Sequence, residues 1–334
     1  MKVLMIGGTG LLGSEAAGEL IRRGHKVVSL ALPPVPAGAI LPPEMKLVLG
    51  NYMEMTDAEL AAYFAGCEGF VFAAGVDERV EGPPPIYEFF KKYNITALER
   101  LLRIARQSGV RHAVICGSYF SYFDKLWPQM QLSKWHPYIR SRRDQERMAI
   151  SFADDAFDVS MMELPYIFGA QPGRKPVWII LVENIRRMRF ATFYPGGGTA
   201  MVTVKQVGQA IAGALEKNKG GVCYPIGYEN MAWKELLAIV HRYMGRTGRR
   251  IVTIPKWMFA LYGRTLRKRQ EARGVEGGVN LAKFADLQCA ELFIDKSLGC
   301  VPLGVLPDDM DAAIGQSIRL SVDVLDGKTD AVGM

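Results

Sequence analysis

The chain lacks most of the marks of an exported, metal-bound or membrane-spanning protein. Its five cysteines (Cys67, Cys116, Cys223, Cys289 and Cys300) are odd in number and show no Cys-x-x-Cys spacing. They read as reduced, mostly buried thiols, not as a disulfide or zinc framework. The four histidines are scattered without metal-ligand spacing, so no metal site is expected. No apolar run approaches the roughly 20 residues needed to span a bilayer, and no integral membrane segment is expected. Met1 leads straight into an apolar strand pattern with no room for a signal peptide, which predicts a soluble, cytoplasmic protein. Low-complexity tracts and internal repeats are absent too. Charged residues make up 22% of the chain and the net charge is +7. That mild excess favours anionic ligands such as phosphates, and would favour nucleic acid or membrane only if clustered. With 334 residues there is ample length for a sizeable core.

What is present begins at once. Met1 to Gly13 reads MKVLMIGGTGLLG: an apolar strand, a glycine-rich turn, then an amphipathic stretch from Leu11 to Arg23. The glycines at 7, 10 and 13 suit a tight turn, backbone approach to a phosphate, and close helix-on-strand packing. A helix starting near Leu11 would aim its free N–H groups and positive dipole end at a diphosphate. The pattern predicts dinucleotide binding.

Further strands follow at Lys26 to Leu30, Lys46 to Leu49, Gly69 to Ala73, Arg111 to Cys116 and Val159 to Met162. Helices fall between them, near Asp57 to Ala65 with Thr56 as cap, Tyr87 to Ser108, and Tyr138 to Phe152. Nearly all-apolar strands alternating with helices imply a parallel sheet covered on both faces. The second strand ends in Ala31 and Leu32, without the acidic residue that takes the ribose of NAD or the arginine that takes the extra phosphate of NADP. Cofactor choice between NAD and NADP therefore stays open.

Several segments together resemble the extended short-chain dehydrogenase/reductase superfamily, in particular its NAD-dependent epimerase/dehydratase group. GGTGLLG at 7–13, with Gly7, Thr9, Gly10, Leu11, Leu12 and Gly13, is similar to that family's cofactor loop. FAAG at 72–75 (Ala73, Ala74, Gly75) occupies the turn after its fourth strand, and Asn94 matches an asparagine of its long helix. ELPYIFG at 163–169, with Pro165 and Ile167, resembles the stretch after the sixth strand; segments 193–217 and 293–307 resemble later family segments. The resemblance implies a Rossmann-like doubly wound α/β fold: an NAD(P)-binding domain over 1–170, and a smaller substrate-binding region over 171–334 with segments near 201–227 returning to the core. It also implies a serine, tyrosine and lysine at the reacting centre. Ser118 and Tyr138 match the first two, but Arg142 stands at the lysine position. By that resemblance Tyr138 is the acid/base, Ser118 holds the substrate oxygen, and Arg142 holds the cofactor ribose and tunes the phenol. Arginine supplies charge and donors but cannot release a proton into a relay. Asn51 stands where an aspartate commonly faces the adenine, with Tyr52 beside it; Glu163 replaces an arginine, and Gln206 an aspartate.

The implied activity is an NAD(P)-dependent epimerase, dehydratase or reductase acting on a hydroxyl or carbonyl carbon of a small molecule; a phosphorylated or nucleotide-linked substrate such as a nucleotide sugar is one candidate, beside a flavonoid-like ketone, a sterol-like alcohol and a small aldehyde. Arg174, Arg186, Arg187, Arg189, Arg249 and Arg250 are candidates for a substrate phosphate. A homodimer through the long helices is the family's usual assembly. The competing expectation is a catalytically weak or inactive dinucleotide-binding regulatory or RNA-binding protein, although nucleic acid is the less favoured partner. Its motive is Arg142 together with Lys256 to Arg273, KWMFALYGRTLRKRQEAR. That segment reads either as a helix packed by its apolar half with a solvated basic end, or as a surface for an anionic membrane or nucleic acid.

Overall fold

In Lys2–Ile6 (β1) the side chains of Val3 and Met5 enter one core cluster while Leu4 and Ile6 enter another. A strand apolar on both faces must lie between two layers of helices. The same holds for Lys26–Ala31 (β2); Lys46–Leu49 (β3) is the edge strand, exposed at both ends; Gly69–Phe72 (β4), His112–Cys116 (β5) and Asp158–Glu163 (β6) are again apolar on both faces. With a seventh strand, Gly221–Pro225, they form one parallel sheet in the order Gly221–Pro225, β6, β5, β4, β1, β2, β3. The computed structural model describes residues 1–332. The doubly wound parallel sheet expected from the sequence is present.

Between β1 and β4 the direction of strand addition reverses, which opens a crevice beyond the carboxyl ends of the strands. Ile6 pairs with Phe72 in that ladder, so Gly7 and Ala73 leave the sheet side by side. The covering helices are Leu11–Arg22 (α1), Asp57–Phe64 (α2), 86–107 (α3), Tyr119–Leu126 (α4) and Pro137–Ile150 (α5). Thr56 and Glu59 close a reciprocal capping box on α2, as the Thr56 cap anticipates. The helix 86–107 departs from expectation in one respect: Lys91–Thr96 is π-helical. One residue is gained per turn there, and the consequence falls on the site.

Beyond β6 the alternation loosens. Tyr166–Phe168, Gly198–Thr203, Glu229–Ala232 and Glu291–Leu292 build a smaller mixed sheet, and Thr192–Pro195 pairs with Ile251–Ile254. Around them lie Ile179–Arg187 (α6), Val204–Lys217 (α7) and Lys256–Ala272 (α8). Helix α7 packs against α1, and Gly208 brings its backbone close to that of Glu15. Gln206 finds a structural role here as the third residue of the Thr203 capping box, donating also to the Leu306 carbonyl at 3.1 Å. An aromatic cluster that includes Phe90, Tyr119, Phe120, Phe123 and Tyr138 meets Leu287 and Ile294 of the late segment. Residues of both sheets thus share one wall.

Candidate active site

The glycine turn is shaped by close approach. Gly7 has φ +92°, and a β-carbon there would lie 2.6 Å from the Ala73 carbonyl oxygen. A β-carbon on Gly13 would meet the Gly7 oxygen at 2.2 Å. Gly10 caps α1 with no side-chain hydrogen bond, so the first N–H groups of the helix have no protein side chain to receive them. They face a cavity of about 1470 Å³ at the sheet's crevice.

Most of the residues singled out in the sequence converge on that cavity. Gly7, Thr9, Gly10, Leu11, Leu12, Tyr52, Ala73, Ala74, Gly75, Ser118, Tyr138, Arg142, Pro165 and Ile167 all line it. Three do not. Gly13 lies beneath the turn, and Asn94 is fully buried behind the wall. Asn51 turns away, donating to Glu54 at 2.6 Å and accepting from the Met53 amide at 3.1 Å. Ala31, Leu32, Pro33 and Pro34, at the end of β2, close the far side of the wall without an acidic or basic group.

Tyr138 stands on the first turn of α5, buried against Phe90 and Phe120. One turn later Arg142 donates from Nε to the Tyr138 hydroxyl oxygen at 3.1 Å, as the i, i+4 spacing allows. Burial holds the phenol above its ordinary value. The Arg142 charge pulls it down, the Glu78 carboxylate pushes it up, and hydrogen bonds from Arg142 and Ser118 pull it down again. The net result is a protonated phenol poised to donate, beside a cation that favours its return to phenolate. Ser118 caps α4 and is itself buried in this wall.

The π-helical turn explains how Arg142 is held. It brings Asn94 into the core, where its side chain accepts from the Val76 amide at 2.8 Å and donates to the Val76 carbonyl at 3.0 Å. The Asn94 backbone carbonyl takes a hydrogen bond from Gln145 Nε2 at 2.7 Å. Gln145 Oε1 in turn accepts from Arg142 Nη1 at 2.8 Å, and Arg142 Nη2 reaches the Val76 carbonyl at 3.3 Å. Sequence reading found Asn94 but missed Gln145, seven residues beyond Tyr138 and so on nearly the same helix face.

Charged residues also line the cavity wall, Glu78 and Arg174 among them, and sequence reading had passed over Glu78. Glu78 lies three residues past Gly75, and burial raises its carboxyl above the ordinary value, with Asp77 adding to the effect. Arg174, one of several arginines considered for phosphate binding, donates from Nε to the Thr9 carbonyl at 3.2 Å and from Nη2 to the Thr9 hydroxyl at 3.2 Å. Among the other candidates, Arg186 pairs with Asp326 and Arg187 with Glu183, and of those two only Arg187 reaches the cavity wall. Glu163, in the place of a family arginine, is fully buried under the site. Lys125 bridges it at 2.9 Å and Glu146 at 2.8 Å.

Residues 3–227 match the NAD dependent epimerase/dehydratase family. The chain belongs to that family. Among solved structures it is similar to gox2253, at 20% identity and TM-score 0.74 over 98% of this chain and 99% of that one. It is similar also to a nucleoside-diphosphate-sugar epimerase from Pseudomonas aeruginosa, at 16% identity and TM-score 0.70, covering 97% and 98% of the two chains. A UDP-glucose-4-epimerase from Stenotrophomonas maltophila, solved with bound NAD and formylated UDP-arabinopyranose, aligns at 17% identity and TM-score 0.69 over 98% and 99%. Curated protein sequences give no match. At these identities the solved structures establish the fold of this epimerase/dehydratase family member and nothing finer.

Proposed function

We propose that this family member is an NAD(P)-dependent oxidoreductase of the epimerase/dehydratase type, working on a hydroxyl-bearing or carbonyl carbon of a phosphorylated or nucleotide-linked small molecule. The observation that carries the reading is the meeting of Tyr138, Ser118 and Arg142 in the same cavity wall as an uncapped helix N-terminus above a turn that only glycine can make. Those residues fit a dinucleotide. The free N–H groups of Leu11 and Leu12 suit its diphosphate, and Ala73, Ala74 and Gly75 offer a flat backbone surface for a ring. Bound there, a nicotinamide would supply a hydride donor or acceptor.

This chain's own groups do the rest. Ser118 donates to the substrate oxygen and fixes its orientation. Tyr138 delivers its phenolic proton to that oxygen when a carbonyl is reduced, and takes it back when an alcohol is oxidised. Arg142 stabilises the phenolate formed in the first case without being consumed, because a guanidinium keeps its proton. Proton exchange with solvent must then run through another group. Glu78 is a carboxyl of the same wall whose pKa burial raises, which suits the role. Arg174, seated on Thr9, adds positive charge next to the glycine turn. The nucleotide-sugar enzymes among the structural relatives support the substrate class, as does the chain's net positive charge.

Replacing Tyr138 by Phe tests the assignment. Turnover should fall by roughly 10²–10⁴-fold, the usual contribution of a general acid/base, while dinucleotide affinity stays within about twofold. A variant that turns over as the parent does would overturn the role of Tyr138.

A further inference from the structure

Helix α8 is amphipathic in the wrong direction for a core helix. Of its 17 residues only Gly263 and Gln270 are buried. A β-carbon on Gly263 would lie 2.1 Å from the Leu281 carbonyl oxygen, so the helix rests on that strip by its backbone. The apolar half expected to pack inward is instead exposed: Trp257 is 66% accessible, Leu261 56%, Tyr262 59%, and Met258 43%. On the segment after α6, Phe190 is 92% accessible, and Phe193, which shares the cavity wall with Tyr262, is 51% accessible. The patch is continuous with the cavity, whose wall includes Ile180, Phe193, Phe259 and Tyr262. Monomeric proteins seldom expose so many large apolar side chains together without a use for them.

The rim is mostly basic, its carboxylates Glu271 and Asp286 being paired with Arg267 and Lys256. Arg264, Lys268 and Arg269 on α8, and Arg189 beside Phe190, are exposed and make no ion pair among the described residues. Arg264 is three residues past Leu261, and Lys268 four past Arg264, so these cations border the apolar stripe. Aromatic residues flanked by unpaired arginine and lysine are complementary to the headgroup region of an anionic bilayer, with rings at the interface and cations on the lipid phosphates.

We propose that Trp257, Met258, Leu261, Tyr262, Phe190 and Phe193 form a docking face for an anionic lipid surface, with Arg189, Arg264, Lys268 and Arg269 on the lipid phosphates. No helix is long and apolar enough to cross a membrane among the described residues, so the attachment is peripheral. The cavity mouth then opens onto the interface. This inference rests on the surface alone and stands apart from the proposed reaction.

The test is co-sedimentation of the full chain with vesicles of phosphatidylcholine, with and without phosphatidylglycerol, at low and high salt. Binding should require the anionic lipid, weaken with salt, and shift tryptophan emission to the blue, a shift lost in Trp257→Phe. Leu261→Asp, and Arg264→Glu combined with Lys268→Glu, should each weaken binding by at least about tenfold. Both variants should keep the parent's circular dichroism and dinucleotide affinity. Three results would overturn the proposal: no vesicle binding at low salt, binding unaffected by these changes, or a patch occupied otherwise. The last would appear as self-association abolished by Leu261→Asp without vesicle binding, or as salt-dependent affinity for single-stranded RNA in its place.

Discussion

The two halves of this molecule hold their ligand-facing surfaces by different means. In the first, from β1 to β6, the site is made by backbone: turns at strand ends, one uncapped helix, and glycines that let chain segments touch. In the second, the surface is made by side chains on a helix whose apolar face points away from the core. A backbone-built site tolerates almost no added atom, whereas a side-chain surface can change without disturbing the fold beneath it. The difference teaches where to look for each part of the function. Under the proposed function, the common chemistry falls to the first half and the choice of what is acted on to the second.

Substitutions can break this contrast, beginning with the largest effect. Gly13→Ala puts a methyl group 2.2 Å from the Gly7 oxygen, so the turn or α1 must move. We expect about 2–3 kcal/mol lost from stability and dinucleotide affinity reduced at least about tenfold, read by thermal unfolding and calorimetry. A full-affinity Gly13→Ala protein would show that the backbone-built half is more forgiving than argued. The changes to Trp257 and Leu261 on α8 should leave both readouts where they were.

Asn94→Ala comes next. It removes both side-chain bonds to Val76, which leaves that backbone amide without its partner and the carbonyl with Arg142 alone. The expected cost is about 1–3 kcal/mol of stability. Because Val76 and Gln145 hold Arg142, turnover should fall further than dinucleotide affinity does, and the pH at which turnover rises should shift with the Tyr138 pKa. Equal losses in turnover and affinity would mean that Asn94 supports the fold only.

Glu163→Gln has the smallest effect and the most particular signature. Burial raises the Glu163 carboxyl above its ordinary value, the Lys125 ammonium opposes this, and the Glu146 carboxylate adds to the rise. A carboxyl with a raised folded pKa contributes stability that is fully present below its unfolded value and is lost as pH climbs through the folded one. The melting temperature should therefore decline over that range, and Glu163→Gln should flatten the decline, with a gain of about 1 kcal/mol or less on the alkaline side. Parallel pH curves for parent and variant would remove Glu163 as the source.

How far the sequence could be read follows the same division. The strands of the large sheet were legible because most are apolar on both faces and bounded by a glycine or a cap; Gly109 and Thr56 are examples. The convergence of Ser118 and Tyr138 was implied by the family resemblance of the segments that carry them, not by spacing alone. The π-helical turn at Lys91–Thr96 could not, since it answers to Gln145 and Val76, which are distant in the chain. The setting of Glu163 was hidden for a like reason: its partners Lys125 and Glu146 come from two different helices. In α8 the division into an apolar and a basic half was visible, but which side faces the core is set by Gly263 against Leu281, a contact with no local signal.

The account depends most on the nicotinamide dinucleotide lying over the turn at Gly7 and beside Tyr138. Calorimetric titration of the purified protein with NAD⁺, NADH, NADP⁺ and NADPH tests this directly. The account predicts that one redox pair binds at one site per chain and that Gly13→Ala loses it. Failure of all four to bind would contradict it, and the cavity at the sheet's crevice would need another occupant.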